Sequence, residues 1–245
     1  MDMMMDENMG SGDEGPIVDP VRPASTALLF IADPDSNLGL TGSAVNTIAD
    51  AIAAATTATF GGAKASRQLA VLNGYNVLRG SCEQYLTPND AAGKMDAYIT
   101  DAEDGCVVGV FKPAANTDYL YRSRTVTSFE IKMVNDGGTP KLSALVYDTV
   151  GGTAEVKIAC ALSAWHTFAM RWTTDTLYLS VDGGAEQSMA LGTAGGVRLL
   201  SHRMDLLGSL DVGGTFTGDF MELSVIDQTD RVQWLAFARH KYALS

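Results

Sequence analysis

The chain predicts an all-β fold, a sandwich or barrel of short antiparallel strands, closed by a C-terminal helix and preceded by an extended N-terminal arm. Three observations carry this expectation. Strand-like segments recur at roughly ten-residue spacing from Cys106 onward. Paired turn residues punctuate them, drawing on 25 glycines in 245 residues. The hydrophobic fraction of 46% supplies a sizeable core while charged residues are only 19%, which argues against disorder of the whole chain.

Residues 1–25 differ from the rest. They are rich in Met, Asp, Gly and Pro, and Pro16, Pro20 and Pro23 are spaced like an extended strap. Proline fixes φ and blocks helix, so the segment is expected to be extended. It is read as an arm that docks on another chain through Met3, Met4, Met5, Ile17, Val18 and Pro20, the alternative being that it lies on its own domain. Residues 26–245 are read as one domain, without internal repeats.

Residues 27–31 form a short apolar strand, and Asp33-Pro34-Asp35-Ser36-Asn37 a turn. In the Ala- and Thr-rich stretch 44–59, Val45, Ile48, Ala49 and Ile52 follow helical spacing, so local pattern predicts a short helix, although its Thr-rich end prefers extended structure. Strands are predicted over 107–111, 125–134, 141–147, 155–161, 167–172, 176–181, 186–191, 205–210 and 218–226. Their boundaries are Asn135-Asp136-Gly137-Gly138, Gly151-Gly152, Asp182-Gly183-Gly184, Gly195-Gly196 and Gly213-Gly214. Asp182-Gly183 is the strongest hairpin signal, because both residues tolerate positive φ. Along 220–226, Met221, Leu223 and Val225 share a face assigned to the core, and Glu222 and Ser224 point the other way. In the last element, Asp230 and Gln233 are spaced as a capping box, and Trp234, Phe237, Ala238 and Tyr242 fall on one stripe.

Net charge is −12 with 17 basic residues, scattered along the chain. Phosphate backbones and anionic membrane surfaces need clustered Lys and Arg, so neither nucleic acid nor membrane is expected as a partner. No apolar run approaches the roughly 18 residues of a membrane span. The acidic start lacks the positive region of a secretory signal, and synthesis in a cytoplasm is expected. Cys82, Cys106 and Cys160 match no zinc or redox spacing and are expected as buried free thiols, with one disulfide plus a leftover thiol as the alternative.

Three segments, in order, resemble the concanavalin A-like lectin/glucanase superfamily in its laminin-G-like form, common in phage and bacterial proteins. The first is Leu72-Asn73-Gly74-Tyr75-Asn76-Val77-Leu78-Arg79-Gly80 followed by Glu83-Gln84-Tyr85-Leu86. The second is Trp165-His166-Thr167-Phe168 followed by Leu177-Tyr178-Leu179-Ser180-Val181-Asp182-Gly183. The third runs from Gly218 to Asp227 and ends, after a helix, on His240-Lys241-Tyr242. The resemblance covers roughly residues 27–245. It implies two antiparallel sheets in a jelly-roll sandwich, and binding of glycan or protein. The chain departs from the family at Arg79-Gly80-Ser81-Cys82, where Phe-Asp-Gly is usual, and at Ile226-Asp227, where Tyr-Asp is usual. In the family, 44–59 would be an irregular connection rather than a helix.

Because the resemblance includes glucanases, carboxylate pairs matter. Hydrolysis needs two of them about 5–10 Å apart. The family's E-x-D-x-x-E signature is absent, and Glu130 and Glu222 each stand alone in their strands. No G-x-S-x-G elbow surrounds a serine, and His166, His202 and His240 form no triad pattern; His166 is read as structural. The chain is therefore expected to be non-enzymatic. Calcium, which needs several converging oxygens, has a candidate site at Asp33, Asp35 and Asn37, and Asp101, Glu103 and Asp104 form a second acidic cluster. Glycan binding needs exposed aromatics that stack on sugar faces, and Tyr119, Tyr121 and Tyr147 are the candidates. Trp165, Trp172 and Trp234 read as core or near-core.

The functional expectation is a virion structural protein of a phage, in capsid decoration or as a tail accessory. It would display a lectin-like sandwich, possess an arm docked on other virion proteins or on copies of itself, and offer a surface to glycans. The alternatives are a stand-alone carbohydrate-binding module and a glycoside hydrolase with an atypical site.

Overall fold

The computed structural model describes residues 20–25, 28–33, 35–49, 51–52, 57–62, 65–80, 84–89, 104–116, 119–123, 129–147, 152–192, 204–209 and 214–244. The chain enters on β1 (Leu28–Ile31), makes a 3-10 turn at Asp35–Asn37, and continues through β2 (Leu38–Thr41), β3 (Ala44–Ala49), β4 (Thr57–Gly62), β5 (Ala65–Leu72), β6 (Tyr75–Gly80) and β7 (Gln84–Asn89). Next come β8 (Gly105–Pro113), β9 (Tyr119–Ser123), β10 (Phe129–Asp136), β11 (Thr139–Tyr147), β12 (Thr153–Ala159), β13 (His166–Trp172), β14 (Thr176–Val181) and β15 (Gln187–Ala190). Short β16 (Met204–Leu206), β17 (Gly208–Ser209) and β18 (Gly214–Thr215) precede the long β19 (Gly218–Ile226) and helix α1 (Arg231–Tyr242).

The strands form two antiparallel sheets in a jelly-roll sandwich. One runs β15-β14-β13-β8-β19, and the far side of β19 is shared by β6 and β1. The other runs β12-β11-β10-β9-β16-β7-β4-β3-β2. β3 also pairs with β5, at Val45↔Ala65, and joins the sheets at one corner. The apolar cluster of the sandwich contains Phe111, Phe168, Tyr121, Ile131, Met133, Val146 and Leu179, all essentially without exposure. Each such side chain contributes about 1.5–3 kcal/mol by leaving water. Phe111 and Phe168 meet edge to face at 5.7 Å, the arrangement that aromatic quadrupoles favour.

The strands predicted after Cys106 are present, with ends moved by a few residues. Segment 205–210 is split into β16 and β17 by Leu207, which adopts φ 54. Among the described residues the helix predicted within 44–59 is replaced by strands, Ala44–Ala49 and Thr57–Gly62. The reason is a bulge. Leu38 and Gly39 of β2 pair with Ile48 and Thr47, but Leu40 pairs with Val45, so Asn46 is an extra residue. The bulge shifts the alternation by one, and Val45 and Ile48, three apart, both face the core with no exposure. That spacing imitates a helix. Pattern does not predict strands β2–β7 and β9: Gly, Thr and Ala blur the alternation in β2–β5, and β9 is short and paired irregularly with β10.

At the first family-like segment, Asn73 (φ 46) and Gly74 (φ 82) form a two-residue turn between Leu72 and Tyr75, which pair. Asp182 (φ 53) and Gly183 (φ 67) also form a left-handed turn, closed by Gly184 N–H to Val181 O at 3.0 Å. It is the tip of a longer connection, since pairing resumes only at Leu179↔Gln187. Arg79, where the family differs, faces Asp219 across the β6–β19 pair and donates to it from Nε at 2.7 Å and Nη2 at 3.0 Å.

Along β19, Met221, Leu223 and Val225 are buried as expected, but Glu222 and Ser224 are buried too, at 0% exposure. Helix α1 and residues 20–25 cover them. Glu222 accepts hydrogen bonds from Arg22 (Nη2 to Oε2 at 2.8 Å), Ser224 Oγ at 2.9 Å, Trp234 Nε1 at 3.1 Å and Tyr242 Oη at 2.6 Å. Arg22 stacks 4.6 Å from the Phe237 ring centre. Gln233 donates to the Val21 carbonyl at 3.2 Å, so it does not complete the capping box. Asp230 makes no side-chain cap bond either; Asp227 instead caps the preceding turn through Thr229 N–H at 2.8 Å. The predicted stripe of α1 is present, with Trp234, Ala238 and Tyr242 buried and Phe237 packed on the core.

The described part of the arm thus lies on its own domain. Pro20 is half-buried there. The other predicted docking residues, Met3, Met4, Met5, Ile17 and Val18, lie outside the described residues.

Candidate functional site

The outer face of β9–β12 gathers the polar groups best arranged for a ligand. Alternation sends Ile131, Met133, Leu142, Ala144, Val146, Ala154 and Val156 into the core, so their neighbours in sequence face outward. The register stacks these in tiers. Tyr119, Lys132, Ser143 and Lys157 lie side by side across the four strands; next come Arg122, Glu130, Leu145 and Glu155; Tyr147 and Thr153 follow.

Two of the three predicted glycan-contacting tyrosines are therefore on one face. Tyr119 and Tyr147 are both half-buried. They are separated by two strand spacings and four residues along the strand, roughly 16 Å, a span that suits an oligosaccharide. Tyr121 belongs to the opposite face: it is fully buried in the core and cannot stack on a ligand.

The groups between the tyrosines are held in fixed positions. Glu130 accepts from Arg122 Nε and Lys132 Nζ, each at 2.9 Å. Glu155 accepts from Ser143 Oγ at 2.7 Å and pairs with Lys157 at 2.9 Å. Lys132 Nζ and the Arg122 guanidinium also sit 5.5 and 5.7 Å from the Tyr119 ring centre. Burial opposes the charge of Lys132, but its bond to Glu130 outweighs this and raises its pKa. Burial likewise opposes the charge of Glu155, but Ser143 and Lys157 hold its carboxyl below the ordinary range.

Glu130 and Glu155 both neighbour Leu145, two strands apart, or roughly 10 Å. This spacing is near that of inverting glycosidases, and sequence reading passed over it because Glu155 was not paired with Glu130. Hydrolysis also needs a carboxylic acid kept protonated near neutral pH. Glu155 is shifted the wrong way for that, and Glu130 is bound to two cations. Glu222, the other carboxylate singled out in the sequence, is on β19, which is not paired with β10, and its carboxylate is enclosed.

His166 is buried at 7% exposure. Its Nδ1 lies 2.7 Å from Asp182 Oδ2 and its Nε2 2.8 Å from the Ala161 carbonyl. Both partners are acceptors, so both ring nitrogens donate and the ring is an imidazolium. Asp182 also accepts from Thr167 N–H at 2.9 Å. This structural role is the one read from the sequence.

At the candidate calcium site, Asp33 Oδ1 accepts from the Asn76 N–H at 3.3 Å, and Asn37 is half-buried. The Asp35 side chain lies outside the described residues, as do Asp101 and Glu103, while Asp104 accepts from Gln228 at 3.0 Å. Among the described residues, no three His, Cys, Asp or Glu side chains converge as a metal site. Cys106 and Cys160 are buried free thiols, and burial pushes Cys106 up to about 12; Cys82 lies outside the described residues. Trp172 and Trp234 are core, and Trp165 packs against it half-buried. No helix among the described residues is long and apolar enough to cross a membrane.

Neither a family model nor a curated protein matches the chain. Solved structures do. The binding domain of botulinum neurotoxin DC, in complex with rat synaptotagmin II, superposes with a TM-score of 0.61 at 10% identity, over 89% of this chain and 52% of that one. A structure on cell entry of botulinum neurotoxin type C, described as dependent on interaction with two ganglioside molecules, gives 0.60 at 10%, over 89% and 52%. Domain 4 of AbnA, a GH43 extracellular arabinanase from Geobacillus stearothermophilus, in complex with arabinotriose, gives 0.60 at 11%, over 86% of this chain and 98% of that one. The chain spans about half the length of the toxin domains and nearly all of the arabinanase domain. These likenesses show the fold, an antiparallel lectin-like β-sandwich.

Proposed function

We propose that this chain is a non-catalytic glycan-binding module of the concanavalin A-like kind, which takes an oligosaccharide across the outer face of β9–β12. The observation that carries the proposal is the placement of Tyr119 and Tyr147 at either end of a fixed array of carboxylates and cations. Aromatic rings cover the apolar faces of sugars, and the partly exposed Lys132, Lys157 and Glu155 offer hydroxyl groups both donors and an acceptor, held in place by the buried Glu130 and Ser143 beneath them. The arabinanase domain holding arabinotriose and the toxin interacting with gangliosides support the reading, as users of the same fold for glycans.

A glycan array followed by calorimetry tests it. Tyr119→Ala and Tyr147→Ala are each expected to weaken the best oligosaccharide about tenfold, roughly 1.4 kcal/mol, within the range for an aromatic contact. Equal affinity in both variants would refute the assigned face. Polysaccharide cleavage that disappears in Glu130→Gln or Glu155→Gln would refute the non-catalytic part.

We also propose that the module is displayed on a viral particle and is attached through residues 1–19. Support comes from their acidic, Met-rich composition and from Arg22, which fixes the following residues to the sandwich. Deleting residues 2–19 keeps Arg22 in place. The shortened chain is expected to retain its fold and glycan binding but to lose association with particles or with other copies; unchanged association would refute the attachment role.

A further inference from the structure

A depression of about 420 Å³ lies between α1 and the connection that follows β14. One wall is the turn at Gly183 and Gly184 with Ala185 and Glu186, and the other is the helix face of Arg231, Val232, Leu235, Ala236 and Arg239. Ser180 contributes to the lining beneath them. This site is on the first sheet, apart from the tyrosine face on β9–β12.

Its charge is opposite to that of the chain as a whole, which carries −12. Glu186, the acid in the lining, is already held by two arginines. Arg171 reaches it with Nε and Nη2, both at 2.8 Å, and Arg231 donates through Nη1. Arg239 makes no ion pair among the described residues and is exposed. Its guanidinium stands over the turn at Gly183, where a Cβ would lie 2.8 Å from Arg239 Nη1. The left-handed φ of 67 at this position also favours glycine. Ser180 is 2% exposed, and its hydroxyl has no hydrogen-bond partner among the described residues. Val232, Leu235 and Ala236 supply an apolar flank, and Val232 is 66% exposed.

An unpaired guanidinium, an apolar wall and a buried hydroxyl without a partner complement a planar carboxylate carried on a ring with an apolar face. We infer that this depression is a second saccharide subsite, selective for an acidic sugar, in which Arg239 grips the carboxylate and Val232 and Ala236 flank the ring. The sugar in this inference rests on the glycan-binding reading above; the preference for an anion does not.

The test is calorimetric titration of the full chain with an oligogalacturonate, with the neutral galactose oligomer, and with sodium sulfate. The oligogalacturonate is expected to bind with an affinity that falls as salt rises. Arg239→Gln is expected to weaken it at least tenfold, whereas Arg239→Lys, which keeps the charge and loses the fork, is expected to fall between. Tyr119→Ala and Tyr147→Ala are expected to leave this binding unchanged, so failure of the tyrosine face and failure of this subsite give different results. Equal binding of the neutral oligomer, no loss in Arg239→Gln, or sulfate binding as tightly as the oligogalacturonate would each overturn the inference.

Discussion

Replacing Glu222 by alanine is expected to destabilise the fold by about 3–5 kcal/mol, the usual cost of removing one partner of a buried ion pair. The side chain has no exposure, and Arg22, Ser224, Trp234 and Tyr242 all donate to it. Without the carboxylate, Arg22 keeps a desolvated charge, and the indole N–H and the phenol lose their acceptor. Arg22→Ala is expected to have an effect of the same order, because it strands the carboxylate instead. The two losses are not additive, since they remove the same interaction. Urea unfolding of both single variants and the double variant measures the coupling. A double variant losing the sum of the two single effects would contradict the pairing.

Glu222 also sets an acid limit. Burial opposes its charge, but Arg22, Tyr242 and Ser224 outweigh that and hold its pKa below the unfolded value. Its contribution is therefore present above about pH 4.5, where the unfolded carboxyl ionises, and is lost as pH falls through the lower folded value.

The second large effect has the opposite sign. Burial works against the His166 imidazolium, but the Asp182 carboxylate, with Cys160 nearby, raises its pKa to about 10. The folded state then holds a proton that the unfolded chain releases near pH 6.5. The stabilisation is complete below about pH 6.5 and is lost progressively as pH rises to about 10. The midpoint of urea unfolding is expected to fall across this window. Asp182→Asn removes the main charged partner and is expected to flatten the dependence as well as lower stability at pH 7. A midpoint that stays level from pH 6.5 to 10 would show the ring to be neutral.

The distribution of these groups explains what could be read in the sequence. The part after Cys106, β9 apart, was legible because its strands are continuous apolar or alternating runs that end on Asn, Asp and Gly turns. The first half was not: Val45 and Ile48 sit on either side of a bulge whose cause is register with β2, a long-range property. Glu222 looked like a solvent-facing residue because period two predicts only which side of the sheet it takes, not that α1 and Arg22 cover that side. Tyr119 and Tyr147 were found as loop-proximal aromatics, but Tyr121 differs from Tyr119 by one alternation and one strand-pairing irregularity, which sequence spacing does not reveal. Glu155 and Arg239 were missed because each acquires its significance from partners on other strands or on a turn.

The account turns on the outer face of β9–β12. The most direct measurement is an NMR titration of the full chain with the highest-affinity neutral oligosaccharide from an array, following the tyrosine ring and lysine side-chain resonances. The account predicts saturable shifts at Tyr119, Lys132 and Tyr147, with Tyr121 unaffected. Shifts confined to residues outside β9–β12, or no neutral glycan bound at all, would contradict it.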